Sequence, residues 1–172
     1  LTDVKLPSYA GQAHSGLKQY DQAEAVYRRA LAENNGLSSR QIILYLGDVL
    51  VRRGDCQQAE LIFLDAFAKS RDDQTIYPPL LGLYGGWNAQ EDLSPKLRQD
   101  TRQQLRKIFR QWLELQTDQS SEKFTDEAIE TFEVMTLRYP KGRMLHLLLS
   151  ELYARQNRFD EAIAQLAPFL LA

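Results

Sequence analysis

Cysteine, histidine and methionine are scarce in this chain: one Cys, two His and two Met among 172 residues. The lone Cys56 excludes an internal disulfide and any multi-cysteine metal site. His14 and His146 stand isolated, and the sequence has neither a zinc-binding HExxH helix nor a phosphate-loop signature. No nucleophile, base and orienting group assemble from motif spacing, so the chain is read as a non-enzyme with no cofactor and no metal. Long apolar runs are missing as well. The run at 147–149 falls far short of the roughly 20 residues that a membrane-spanning helix needs. Charge of one sign is not in excess either: 21 Lys and Arg against 23 Asp and Glu leave a net charge of −2, so any attraction to nucleic acid or anionic lipid has to come from a local patch. The first residue is Leu1, which suggests a fragment or processed form of a longer protein, and a single cysteine leaves both cytoplasm and periplasm open.

What the chain does contain is an average share of apolar residues, 44%, and of charged ones, 26%, which fits a folded globular protein rather than a disordered one. It also contains an internal repeat. Gly11, Ala23, Tyr27 and Ala30 recur 36 residues later as Gly47, Ala59, Phe63 and Ala66. Segment 41–53 carries Ile43, Leu46, Val49 and Leu50 at helical spacing, and segment 57–69 carries Ala59, Ile62, Phe63 and Ala66 in the same way. Each repeat therefore reads as two amphipathic helices. Gly54-Asp55 breaks the chain between them, and Lys18-Gln19 occupies that place in the first copy. So short a link forces antiparallel packing. Gly47 and Ala59 are expected where the helices approach, with Phe63 filling the space beyond. The C-terminal part repeats the theme: Ala128, Phe132 and Pro140, then Leu149, Tyr153, Phe159, Ala162 and Leu166, with Ala128 and Ala162 34 residues apart. "RYPKG" reads as a turn between repeats, and the apolar end "APFLLA" as an uncapped helix that continues, is covered, or self-associates.

These residues resemble the tetratricopeptide repeat (TPR) signature: a leucine-glycine pair and an aromatic in the first helix, alanine, aromatic and alanine in the second, and an exit proline. "YLGDVLVRRGDCQQAELIFLDAFA" and "TDEAIETFEVMTLRYP" carry it most clearly, and the resemblance covers roughly three quarters of the chain. Ser150 stands where the glycine usually falls, and Asn35 where the first proline would be. The resemblance implies an all-α, antiparallel helix-pair solenoid (a TPR-like superhelix) of eight or nine helices. The chain reads as a single domain with repeats at about 4–36 and 40–72, an irregular middle at 75–119 and further repeats at 122–172.

In that middle, Leu81-Gly82 follow Leu46-Gly47 by 35 residues, so a first-type helix is expected from near Pro78. Gly85-Gly86 each weaken it by about 1 kcal/mol relative to alanine. The expectation is a short or frayed helix, with "LYGGWN" as a glycine-rich turn. Ser94 and Pro95 supply a cap and first turn for a long helix over 96–116, with Leu97, Leu105, Ile108, Trp112 and Leu115 on one face. Its expected partner is 125–138, after an extended loop "TDQSSEK". Arg98, Arg102, Arg106 and Arg110 recur at i, i+4 on the long helix, a stripe able to hold phosphate or an acidic partner. A solvated helical face is the simpler account, and no aromatics are interleaved for base stacking, so nucleic acid is disfavoured.

By resemblance, the first helices of a TPR array expose one face to a groove. That face here comprises Tyr9 and Gln12, then Leu44, Tyr45, Asp48 and Arg52. Tyrosine and arginine are frequent interface anchors. The TPR subclass that clamps a C-terminal carboxylate uses lysines, asparagines and an arginine at positions where this chain has Ser8, Gln12, Tyr45, Ile76 and Leu80, so that clamp is absent. The resulting expectation is a scaffold that binds a partner peptide or helix in the groove, in a setting such as a bacterial assembly or secretion system. Alternatives are an RNA- or phosphate-binding repeat using the arginine helix 96–110, or a regulatory domain of a larger enzyme.

Overall fold

The computed structural model describes residues 5–33, 39–69, 73–115 and 121–170. Asn35, residues 117–120 of the extended loop, and Leu171 and Ala172 at the apolar end lie outside them. Two compact units are formed, Leu1–Leu83 and Tyr84–Ala172. The described residues form nine α-helices and one 3-10 turn, Gln74–Ile76, with no strand.

The first unit holds α1 (Lys5–Gly16), α2 (Tyr20–Glu33), α3 (Ser39–Arg53), α4 (Cys56–Lys69) and the start of α5 (Tyr77–Asn88). Its two helix pairs are built alike because the same small residues face the same large ones. A Cβ on Gly47 would overlap the Phe63 ring, and a Cβ on Gly11 would overlap the Tyr27 ring. The aromatic of each second helix therefore sits in the notch that the glycine leaves in the first, closer than a position beyond the small residues. Ala23 and Ala59 are fully buried beside these contacts, and Ile42, Leu46, Val49 and Leu50 complete the core. Burying side chains of this kind contributes about 1.5–3 kcal/mol each.

Every tight turn within a helix pair is closed by one left-handed residue: Lys18 (φ 59°), Gly54 (φ 97°) and, in the second unit, Asn157 (φ 60°). The hydrogen bonds repeat too. Lys18, Gly54 and Asn157 donate to the carbonyls of Ser15, Val51 and Ala154, and the following residues Gln19, Asp55 and Arg158 donate to those of His14, Leu50 and Tyr153. This paired pattern satisfies carbonyls that the helix end would leave open. Beside the second turn, Arg53 binds Asp21 at 3.0 Å together with Glu24 and Asp55, which ties the first repeat to the second. Burial acts to raise the Glu24 pKa, but the guanidiniums of Arg28 and Arg53 hold it below the usual carboxylate value.

The second unit holds the end of α5 with α6 (Pro95–Glu114), α7 (Ser121–Arg138), α8 (Arg143–Arg155) and α9 (Phe159–Leu170). α5 is among the shorter helices, at 12 residues, but runs unbroken through Gly85 and Gly86, which corrects the expected fraying and turn. A Cβ on Gly85 would collide with Leu145, and one on Gly86 with the Tyr139 ring, so both glycines admit close neighbours and the packing outweighs their weak helix propensity. Ser94 caps α6 by accepting from Leu97 N at 3.3 Å, with Pro95 in the first turn, as the sequence leads one to expect. Phe109 and Trp112 of α6 meet Phe132 and Phe124 of α7 edge to face at 5.4 and 5.1 Å, which makes α7 the partner of the long helix. α7 begins at Ser121, within the segment expected as loop.

Gly54 meets nothing within 4 Å of an added Cβ, so Gly54→Ala is expected to cost about 1 kcal/mol through backbone strain alone, and Lys18→Gly to gain up to a similar amount. Urea unfolding of both variants checks this. Ala59→Leu is expected to cost roughly 1–3 kcal/mol by overpacking; an unchanged melting temperature would count against the assigned contact. Tyr27 is pushed up to about 12 by burial, then by Tyr45 and Asp48; Tyr153 is likewise pushed up to about 12 by burial, then by its hydrogen bond to Glu133. The unfolded chain loses these protons near pH 10 and the folded chain does not, so the unfolding midpoint should hold to about pH 10 and fall towards about pH 12. Urea titrations across that range, with tyrosinate absorbance followed in parallel, test it.

Candidate functional site

Helices α1 and α3 present corresponding faces in the first unit. Gln12 and Asp48 are the same position one repeat apart, and Tyr45, Asp48 and Arg52 share one side of α3 at i, i+3, i+7 spacing. Gln12, Tyr45, Asp48 and Arg52 line a single concavity of about 320 Å³ with Ser15, Gly16, Tyr27 and Val49. Tyr45 stacks on the buried Tyr27, with ring centroids 5.8 Å apart and an interplanar angle of 23°. That contact sets the direction of the Tyr45 ring and gives it a structural share as well as a surface one. Arg52 Nε donates to Asp48 Oδ2 at 2.6 Å, and both side chains are substantially exposed. The rim of the concavity is thus a solvent-facing ion pair, and its floor is aromatic.

Two residues of the predicted face lie outside this concavity. Tyr9 is exposed on α1, and Leu44 is half-buried on α3 without lining it. Ser15 and Val49 also line the concavity, although they are not among the groove residues that the resemblance implies. Ile76 and Leu80, which stand at carboxylate-clamp positions, are buried apolar side chains.

The arginines of α6 divide into two kinds. Arg98 is committed to the α5–α6 corner, where its guanidinium donates to the carbonyls of Asn88, Gln90 and Glu91 at 3.2, 2.9 and 3.1 Å. Asn88 returns the bond, donating from Nδ2 to Arg98 O at 2.8 Å and to Thr101 Oγ1 at 2.9 Å. Asn88 was not legible as such a corner residue, because its partners lie ten and thirteen positions away across a turn. Arg102, Arg106 and Arg110 are exposed, and among the described residues they have no ion pair or hydrogen bond from the side chain. They flank an open depression of about 1140 Å³ along α6 with Lys107 and Gln111. Arg102 and Arg106 also face a second cleft, of about 660 Å³, whose other wall comes from α8 and α9 and is apolar apart from Arg143.

Among the described residues, no group of three or more His, Cys, Asp or Glu is placed to hold a metal ion, and no helix is long and apolar enough to cross a membrane. Comparison with curated proteins gives no match. Among solved structures the chain is similar to TTC0263, a thermophilic TPR protein of Thermus thermophilus, at 19% identity over 96% of this chain and 89% of that one, with a TM-score of 0.55. It is also similar to a tetratricopeptide repeat protein from Parabacteroides merdae, at 13% identity over 98% of this chain and 79% of that one, with a TM-score of 0.41. The former likeness concerns the fold alone. A family model described as Tetratricopeptide repeat matches residues 10–74 and 122–167, which leaves out the stretch where the repeat rhythm falters. These segments amount to more than half of the chain and contain the glycine-aromatic pairs described above, and the protein belongs to the tetratricopeptide repeat family, whose arrays act as scaffolds for protein–protein interaction.

Proposed function

We propose that the first unit holds an extended segment of a partner protein across the concavity between α1 and α3, as one element of a multi-protein assembly. The observation that carries this reading is the convergence of Gln12, Tyr45, Asp48 and Arg52 on one depression. Its volume falls at the lower end of the about 300–1,000 Å³ range of small-ligand sites, enough for side chains of an extended segment. Tyr45 offers apolar ring area already oriented by its stack on Tyr27, so little rotamer freedom is lost on binding. The Gln12 amide and the Arg52–Asp48 pair offer donors and acceptors to a peptide backbone. An exposed ion pair of this kind contributes about 0–1 kcal/mol to stability, so its removal leaves the fold in place.

The test is affinity capture from a native lysate with the full chain and with a Gln12→Ala, Arg52→Ala double variant. The expected outcome is loss of a discrete set of captured proteins with circular dichroism and melting temperature unchanged. Identical captured sets from the two proteins would remove the assignment. Tyr45→Ala is a separate variant, expected to lower stability by about 0.5–1.5 kcal/mol through the lost ring pair in addition to any effect on binding.

A further inference from the structure

The second unit contains a surface of different chemistry, independent of the groove in the first. We infer that the cleft between α6 and the α8–α9 pair takes an acidic, amphipathic protein segment, its carboxylates on Arg102, Arg106 and Arg143 and its apolar side chains against Met144, Leu147 and Phe169.

The first ground is charge. The residues lining this cleft include five cations and no acid. Two of the cations are already engaged, Arg98 by backbone carbonyls and Lys141 by Glu91. Arg102, Arg106 and Arg143 are exposed, and among the described residues their side chains have no ion pair or hydrogen bond. That sets them apart from arginines elsewhere in the chain: Arg28, Arg29, Arg52, Arg53, Arg155 and Arg158 each have a carboxylate partner. Among the described residues, three arginines without such a partner surround this one depression, in a chain whose net charge is −2. Together they attract a partner of opposite sign and select against one of like sign.

The second ground is the opposite wall. Met144 and Leu147 lie on one face of α8, and Leu166, Phe169 and Leu170 follow at i, i+3, i+4 on α9, so helical spacing brings both sets to the same cleft. Leu147 remains 37% exposed and Leu170 73% exposed, which leaves apolar area available for burial. A phosphate group uses the arginines and gains nothing from this wall. Single-stranded nucleic acid gains from aromatic faces on which bases can stack, and Phe169, the one aromatic lining the cleft, is tilted against His146 with ring centroids 5.1 Å apart. A segment with carboxylates on one side and aliphatic or aromatic side chains on the other uses both walls, which favours a protein partner.

The probes are a fluorescent peptide of alternating glutamate and leucine, a glutamate-serine peptide of equal charge, a lysine-leucine peptide, and an oligouridylate, each titrated into the full chain by fluorescence anisotropy. The glutamate-leucine peptide is expected to bind, the glutamate-serine peptide to bind more weakly, and the other two to show no saturable binding. Arg102→Glu with Arg106→Glu should weaken the first interaction about tenfold or more, since each reversal turns an attraction into a repulsion. Both side chains are exposed, and unchanged circular dichroism verifies the fold. Arg29→Glu, in the first unit, should leave binding as it was. Raising salt until the Debye length shrinks from about 10 Å to about 3 Å should also weaken it. No binding of the glutamate-leucine peptide, equal binding of the glutamate-serine peptide, indifference to the double reversal, or tighter binding of oligouridylate would each overturn the proposal.

Discussion

The structure of the first unit depends on one steric match: a glycine in the first helix of each pair, and an aromatic ring of the second helix lying where its side chain would have been. Gly11 with Tyr27 and Gly47 with Phe63 are the two instances, and a methyl group at either glycine would occupy ring space. Close packing converts that match into specificity, because an interior near crystalline density leaves no room to slide the ring elsewhere. Once the rings are seated, Ala23 and Ala59 come to lie fully buried at the same interfaces. The axial register of each helix pair follows, and with it the face that each first helix leaves exposed.

That exposed face is where the fold becomes useful. Because Tyr27 is held by Gly11, it offers a fixed ring on which Tyr45 of the next repeat stacks. The floor of the concavity is therefore an outgrowth of the core, and the same contact that orders the core orients a surface aromatic. Arg53, bound to Asp21, Glu24 and Asp55, reinforces the join between the repeats from another side. It remains about a quarter exposed, so its worth lies more in geometry than in net stability. In the second unit the join between α5 and α6 is made differently, by an exchange in which Arg98 and Asn88 each satisfy the other's backbone carbonyl. One arginine of a four-residue stripe is thereby engaged by backbone carbonyls, and the remaining three are exposed without a partner among the described residues.

The glycines of α5 show where local reasoning gives the wrong answer. Helix propensity treats Gly85 and Gly86 as a weakness, and in an isolated peptide they would be one. Within the fold they are contact positions, because Leu145 and Tyr139 approach the helix where no side chain is present. The same residue type is legible as a contact position at Gly47, where a 36-residue repeat supplies the context that α5 lacks. The candidate groove followed a similar course. Of the face that the TPR resemblance implies, Gln12, Tyr45, Asp48 and Arg52 line one concavity, whereas Tyr9 and Leu44 share those helices without lining it.

Sequence alone determined the helix pairs, their tight turns and the small residues at which the helices approach, because each is a matter of residues at fixed short offsets within or between repeats. Only tertiary structure decided that α5 continues through its glycines, that Arg98 serves a helix corner while Arg102 and Arg106 stay available, and that an apolar wall from α8 and α9 faces those arginines. The physical reason is distance along the chain. Gly85 meets Leu145, and Arg106 shares a cleft with Phe169, across about sixty residues of sequence, and no local period encodes such a meeting.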